Sequence, residues 1–80
     1  MTLKELKQLQ SKLAKIEIGI EDLEKQKSEI EAEFGKQEVY EDADKMHELQ
    51  QSLESKNQKL DNLNLDWEEV GLKIEAIENN

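Results

Sequence analysis

The chain has 80 residues, among them 20 acidic and 11 basic ones, and its formal net charge is −9. Its apolar share of 35% lies below the roughly 45–50% of an ordinary globular domain, so we do not expect a conventional globular core. Without proline and with 39% charged residues, the composition is typical of long helices or a coiled coil. The lack of cysteine excludes disulfide frameworks and thiolate metal sites.

The first predicted element is a helix over about residues 3–34. Thr2 and Glu5 fit a capping box at its start, in which each side chain satisfies a backbone donor of the other residue. Gly35 follows the last apolar residue, at a position where helices commonly end on a left-handed glycine. Between these signals the apolar residues alternate at spacings of three and four, which is the heptad seam of a coiled coil. They are Leu6, Leu9, Leu13, Ile16, Ile20, Leu23, Ile30 and Phe34, with Lys27 as the one interruption.

A second helix is predicted over about residues 42–78, after a tip at residues 35–41. Asp42 or Asp44 is suited to cap its start. Its heptad seam begins out of phase with the first one, so a single continuous helix is excluded. The second seam consists of Met46, Leu49, Leu53, Leu60, Leu63, Trp67, Val70, Ile74 and Ile77, with Lys56 as the interruption. We therefore expect an all-α fold, a two-helix antiparallel coiled-coil hairpin that forms a single domain over residues 1–80.

One register of the two helices accounts for both interruptions of the seam. If Lys27 and Lys56 lie in one layer, three apolar pairs also become level: Phe34 with Leu49, Leu23 with Leu60, and Ile16 with Trp67. Because two ammonium groups repel each other in a dry layer, both must point outward toward solvent. Polar layers of this kind fix the register of coiled coils. Contact with a partner is the alternative role of the two lysines.

Trp67 lies on the second seam, and we expect it to fill the core, with stacking on a ligand as the alternative role. Gly71 follows it by one helical turn, and Gly19 lies three residues after its expected neighbour Ile16. A glycine inside a helix costs about 1 kcal/mol relative to alanine. Room for the indole ring would compensate this cost, and a flexible hinge is the alternative.

Catalytic, cofactor and metal sites are not indicated. The three glycines are too far apart for a phosphate-binding loop, and His47 has no metal-ligand set near it in the sequence. General acid–base catalysis needs a pocket that excludes water, which a two-helix hairpin does not provide. No apolar run reaches the roughly 18 residues of a membrane span. We expect a non-enzymatic, cytoplasmic protein without a cofactor or a membrane segment.

Three groups of residues are candidates for contact with a partner. Lys4, Lys7 and Lys15 form a basic patch that is either solvated or contacts a phosphate backbone. Val39 and Tyr40 are apolar residues in an acidic tip, where they either dock on a partner or fold back over Phe34 and Met46. Leu65 and Leu72 share an outward face and form either a docking stripe or two singly exposed leucines. These seven residues are the candidate contact positions of the chain.

Two segments carry a resemblance to a known family. The tip reads Glu38-Val39-Tyr40-Glu41-Asp42, and Trp67 is followed by Glu68 and Glu69 near the end of the second helix. Together with the two heptad helices, they resemble the C-terminal coiled-coil domain of ABC-F ATP-binding cassette proteins over about residues 4–78. The resemblance implies an arm of a cytoplasmic ATPase that acts on ribosomes or DNA, with the ATP sites in two upstream cassettes of the same protein.

The alternative function is that of a stand-alone scaffold or adaptor that associates with itself. A chain of this size rarely obtains more than about 3–5 kcal/mol from its own core. Pairing of hairpins through Leu65 and Leu72 would therefore be a physically reasonable source of stability.

Overall fold

A computed structural model, which describes residues 2–79, contains three helices in this part of the chain. They are α1 (Leu3–Glu33), α2 (Gln37–Tyr40) and α3 (Ala43–Glu78). The two long helices pack against each other, and α2 packs on α3. The molecule is a rod with principal extents of 58 × 15 × 14 Å. The predicted all-α hairpin is confirmed. We call the end that holds α2 the tip and the opposite end the base.

The seam between α1 and α3 is mostly half-buried. Within residues 2–79 the buried apolar side chains are Ile16, Val39, Leu60 and Val70. The other apolar seam residues are half-buried, except Trp67. Two helices cover each other along one stripe, so the outer side of each seam residue keeps some contact with water. The stability of this fold therefore rests on many partly buried contacts.

Side-chain caps mark the start of both long helices. The Oγ1 atom of Thr2 accepts a hydrogen bond from the backbone N–H of Glu5 at 3.2 Å. The Oδ1 atom of Asp42 accepts two, from Asp44 N–H at 3.0 Å and from Lys45 N–H at 3.3 Å. Asp42 is thus the cap of α3, and Asp44 lies in its first turn. Such caps satisfy backbone donors that have no partner inside the helix.

The expectation for Gly35 is wrong. No residue in the described range 2–79 has a positive φ. Helix α1 ends at Glu33, and the chain continues in tight turns in which Gly35 N–H donates to Ala32 C=O and Lys36 N–H donates to Glu33 C=O. Because these three-residue turns satisfy the last carbonyls of the helix, a left-handed glycine is not needed here.

The tip contains a helical turn that the heptad pattern does not predict. Helix α2 spans Gln37–Tyr40, inside the segment 35–41 that we expected to be a simple connection. An ion pair of 2.7 Å between Lys36 Nζ and Glu33 Oε1 links the end of α1 to the residue before α2. The hydrogen bond in this pair raises the pKa of Lys36.

Candidate functional site

The two apolar residues of the tip have opposite environments. Val39 is 5% exposed and Tyr40 is 55% exposed. Consecutive residues of a helix point about 100° apart, so the short α2 turns one side chain toward the hairpin and the other away from it. The burial of Val39 argues against its predicted docking role and agrees with the alternative that it folds back. Tyr40 remains accessible at the tip, between Glu38 and Glu41.

The three lysines of the basic patch are all exposed, but they do not form one cluster. Lys4 and Lys7 lie together in a shallow groove with Leu3, Gln8 and Ser11. Lys15 lies eight residues after Lys7, which is about 12 Å along the helix at ~1.5 Å per residue. The ion pairs within residues 2–79 are Lys36–Glu33 and Lys73–Glu69, so the patch is not neutralised by an ion pair of the described chain.

The exposed apolar residues of the two long helices are more numerous than predicted. Leu65 is 63% exposed and Leu72 is 65% exposed, and their spacing of seven places them on one face of α3. Sequence reasoning missed Leu3 and Ile18, which are 68% and 65% exposed. Ile18 could have been found, because it follows the seam residue Ile16 by two positions and so faces away from α3. All four residues lie in the half of the hairpin near the base.

Trp67 does not fill the core as expected. Its side chain is 43% exposed, and its Nε1–H donates a hydrogen bond to Glu17 Oε1 on the opposite helix at 3.2 Å. A two-helix layer has no third element to enclose a ring of this size, so the indole lies at the edge of the seam. At this edge part of the ring is buried against apolar side chains, and the indole N–H still has a hydrogen-bond partner. Tryptophans at partly solvent-exposed positions commonly combine these two features.

The two glycines do not make room for this indole. A methyl group placed on Gly19 would lie 3.2 Å from Leu63 Cδ1, and one placed on Gly71 would meet no atom within 4 Å. Gly19 therefore allows close approach of Leu63, whereas Gly71 serves no packing purpose within the described chain. The expectation that Gly19 and Gly71 accommodate Trp67 is wrong.

The lysine layer remains a proposal, which the cross-helix contacts support. Lys27 and Lys56 are both half-buried. The pairing that makes them level also places Trp67 opposite Ile16. The observed contact of Trp67 is with Glu17, one residue away from that pairing. The observed pair of Leu63 and Gly19 also differs by one residue from the pairing that the proposed register gives for Leu63.

The surface offers shallow grooves. One of them, about 600 Å³, runs along polar side chains of α3 from Gln51 to Asp61. In residues 2–79 no three His, Asp or Glu side chains come together in a way that could hold a metal ion. Across the same residues, neither long helix has an apolar stretch sufficient to cross a membrane.

Residues 4–71 match the family model of the ABC transporter C-terminal domain. The chain belongs to this family. The match covers most of the chain and includes α1 from Lys4 onward, the tip, and α3 as far as Gly71. No curated protein and no solved structure gives a significant match.

Membership of the ABC transporter C-terminal domain family confirms the resemblance found in the sequence, and the ABC-F branch is compatible with it. This ABC transporter C-terminal domain is therefore a non-catalytic region of an ABC protein. Both segments that carried the resemblance, the acidic tip and the segment after Trp67, lie within the matched residues.

Proposed function

We propose that this hairpin is the C-terminal arm of a cytoplasmic ABC-F type ATPase. It is joined to upstream cassettes that hold the ATP sites, and it positions them on nucleic acid, either DNA or ribosomal RNA, or on the ribosome. The observation that carries the proposal is the family match over residues 4–71, which covers nearly all of α1, the tip and most of α3. The rod shape, 58 Å long and about a quarter as wide, suits an arm that extends from a larger body.

The charge distribution favours a nucleic-acid contact near the base. Residues 1–16 contain four lysines and one glutamate, whereas the tip is rich in carboxylates. Phosphate backbones are attracted by lysines and repelled by carboxylates. We therefore assign the contact to Lys4, Lys7 and Lys15. The chain has no arginine, so bidentate contacts to guanine or phosphate are excluded, and the isolated hairpin should bind weakly and without sequence preference.

Binding to a DNA duplex of 20 base pairs and to a fragment of ribosomal RNA tests this contact. A triple variant with Lys4→Glu, Lys7→Glu and Lys15→Glu should abolish binding of the chain to either probe, as measured by fluorescence anisotropy. If three lysines contact phosphates, the logarithm of the affinity should fall with the logarithm of salt concentration at a slope of about −2.7.

A matched triple variant controls for net charge. Lys25, Lys45 and Lys59 are also exposed, and changing them to Glu alters the total charge by the same amount. Equal loss of binding in both triple variants would argue against the assigned patch, as would binding that does not respond to salt. The proposal that the hairpin is an arm is tested by the open reading frame, which should encode two ATP-binding cassettes upstream of the hairpin. Absence of these cassettes would contradict the ABC-F proposal.

A self-associating scaffold is the second candidate, favoured by the exposure of Leu65 and Leu72. If these leucines pair two hairpins, sedimentation velocity should show a dimer that dissociates on dilution. Leu65→Lys combined with Leu72→Lys should then give a monomer. The matched control is Leu3→Lys with Ile18→Lys, since these residues are equally exposed. A monomer at every concentration of the unmodified chain would exclude this candidate.

A further inference from the structure

An open groove of about 390 Å³ lies beside Trp67, where α1 and α3 meet. Its apolar surface comes from Trp67 on α3 and Ile20 on α1. Its rim is polar and mostly acidic, and consists of Glu17, Glu21, Glu24 and Asn64. The groove therefore combines an aromatic ring, an aliphatic floor and carboxylates within a single concave surface.

The indole ring is both accessible and held in place. Its exposed fraction is 43%, which leaves part of the ring in contact with solvent. The hydrogen bond from Trp67 Nε1 to Glu17 Oε1, 3.2 Å long, joins it to the opposite helix and restricts its orientation. A tryptophan face presented in this way attracts cations, because the ring carries negative potential on its face.

The carboxylates around the ring take part in no ion pair within the described residues 2–79. The ion pairs of the described residues 2–79 join Lys36 to Glu33 and Lys73 to Glu69, and both lie outside the groove. The stretch 17–24 contains four acidic residues and no basic one. The rim of the groove thus carries three carboxylates and no lysine, and its charge is complementary to that of a cation.

We propose that this groove binds an arginine or lysine side chain from a basic segment of a partner protein. The aliphatic stem of such a side chain packs on Ile20 and along the indole, as long basic side chains do on apolar surfaces. Its cationic head lies over the ring and between the carboxylates of Glu21 and Glu24. This surface and its partner differ from the lysine patch and its phosphate partner, so the two proposals can fail separately.

A fluorescein-labelled hexa-arginine peptide is a suitable probe, titrated with the full chain and followed by anisotropy. Trp67 is the sole tryptophan, so its emission reports directly on the groove and should change as an unlabelled peptide binds. Trp67→Leu keeps an apolar side chain but removes the aromatic face. It should raise the Kd by about two- to fivefold, the effect of losing one cation–π contact at an exposed site.

The carboxylates are tested with a matched pair of double variants. Glu21→Gln with Glu24→Gln should raise the Kd by roughly three- to tenfold. Glu75→Gln with Glu78→Gln removes the same charge at the same spacing, on exposed positions outside the groove, and should change the Kd by less than about twofold. Circular dichroism checks that each variant stays helical, and the exposed glutamate variants remain informative if Trp67→Leu unfolds.

Three results would overturn the proposal. An equal rise of the Kd in both double variants would mean that the peptide responds to the overall negative charge of the chain. Peptide binding that leaves the emission of Trp67 unchanged would place the peptide elsewhere on the rod. Failure of the unmodified chain to bind the peptide at low salt would mean that the groove does not hold a basic side chain.

Discussion

At the scale of single residues, the two helical glycines occupy different surroundings, and this difference predicts different effects of the same substitution. Gly71→Ala adds a methyl group that meets no atom within 4 Å, so it should stabilise the hairpin by about 1 kcal/mol through helix propensity alone. At Gly19 the same methyl lies 3.2 Å from Leu63 Cδ1. Leu63 must shift, so Gly19→Ala should stabilise less than Gly71→Ala or destabilise.

Urea unfolding followed by circular dichroism measures both substitutions. The comparison is internally controlled, because both sites are glycines inside long helices and differ only in what surrounds them. If Gly19→Ala stabilised the hairpin as much as Gly71→Ala, the close approach of Leu63 to α1 would be contradicted. If Gly71→Ala destabilised it, the open space beside Gly71 would be contradicted.

Asp42 is the second residue whose role can be measured. Its carboxylate accepts hydrogen bonds from two backbone N–H groups at the start of α3, and Asp42→Ala should lower the free energy of unfolding by about 1 kcal/mol. Asp61→Ala is the control, since Asp61 is exposed in the middle of the same helix and alanine is favoured there. Equal effects of the two substitutions in urea unfolding would argue against the cap.

Side-chain environments were the least predictable feature from the sequence. The heptad position of Trp67 indicated burial. A heptad pattern predicts the direction of a side chain, but it does not predict how much of a large ring the opposite helix covers. Val39 and Tyr40 are adjacent and both apolar, and no periodicity distinguishes them. Their opposite exposure follows from the geometry of α2, which is too short to carry a repeat of its own.

At the scale of helices, the sequence was informative because the 3.5-residue repeat persists over each long element. The seam of α1 and the seam of α3 predicted both helices and their antiparallel packing. The turn at the tip was less predictable, because several backbone paths can join two helices. Gly35 permitted a left-handed cap, yet successive tight turns satisfied the same carbonyls.

The proposed layer of Lys27 and Lys56 can be tested with a double-mutant cycle. Leucine at both positions should stabilise the hairpin by more than the two single changes together, by about 0.5–1 kcal/mol, because the two leucines can pack on each other only when both are present. The free energy of unfolding in urea measures the four chains of the cycle.

The control for this cycle combines Lys27→Leu with Lys73→Leu, two positions far apart along the rod. Their effects should add within about 0.3–0.5 kcal/mol. Additive effects of Lys27→Leu and Lys56→Leu would show that the two lysines do not share a layer, and would favour the alternative in which each contacts a partner.

At the scale of the whole molecule, the hairpin predicts two very different distances between labelled positions. The chain has no cysteine, so spin labels attach only to cysteines that are introduced at chosen positions. Labels at Lys7→Cys and Ala76→Cys should lie within about 20 Å, since packed helix axes are about 8–10 Å apart. Labels at Lys7→Cys and Glu41→Cys should lie about 50 Å apart along the rod, since residues near the base and the tip are separated by most of its length. Two long distances in dilute protein would contradict a chain that folds back on itself.

The elongated shape has a consequence for how movement would pass through the molecule. The rod is 58 Å long and two helices thick. A rigid tilt about its base therefore displaces the tip much further than the residues near the base. A tilt of about 10°, comparable to rigid-body rotations in allosteric proteins, would sweep the far end through about 10 Å. Small angular steps at one end are thereby amplified into displacements the width of a helix at the other.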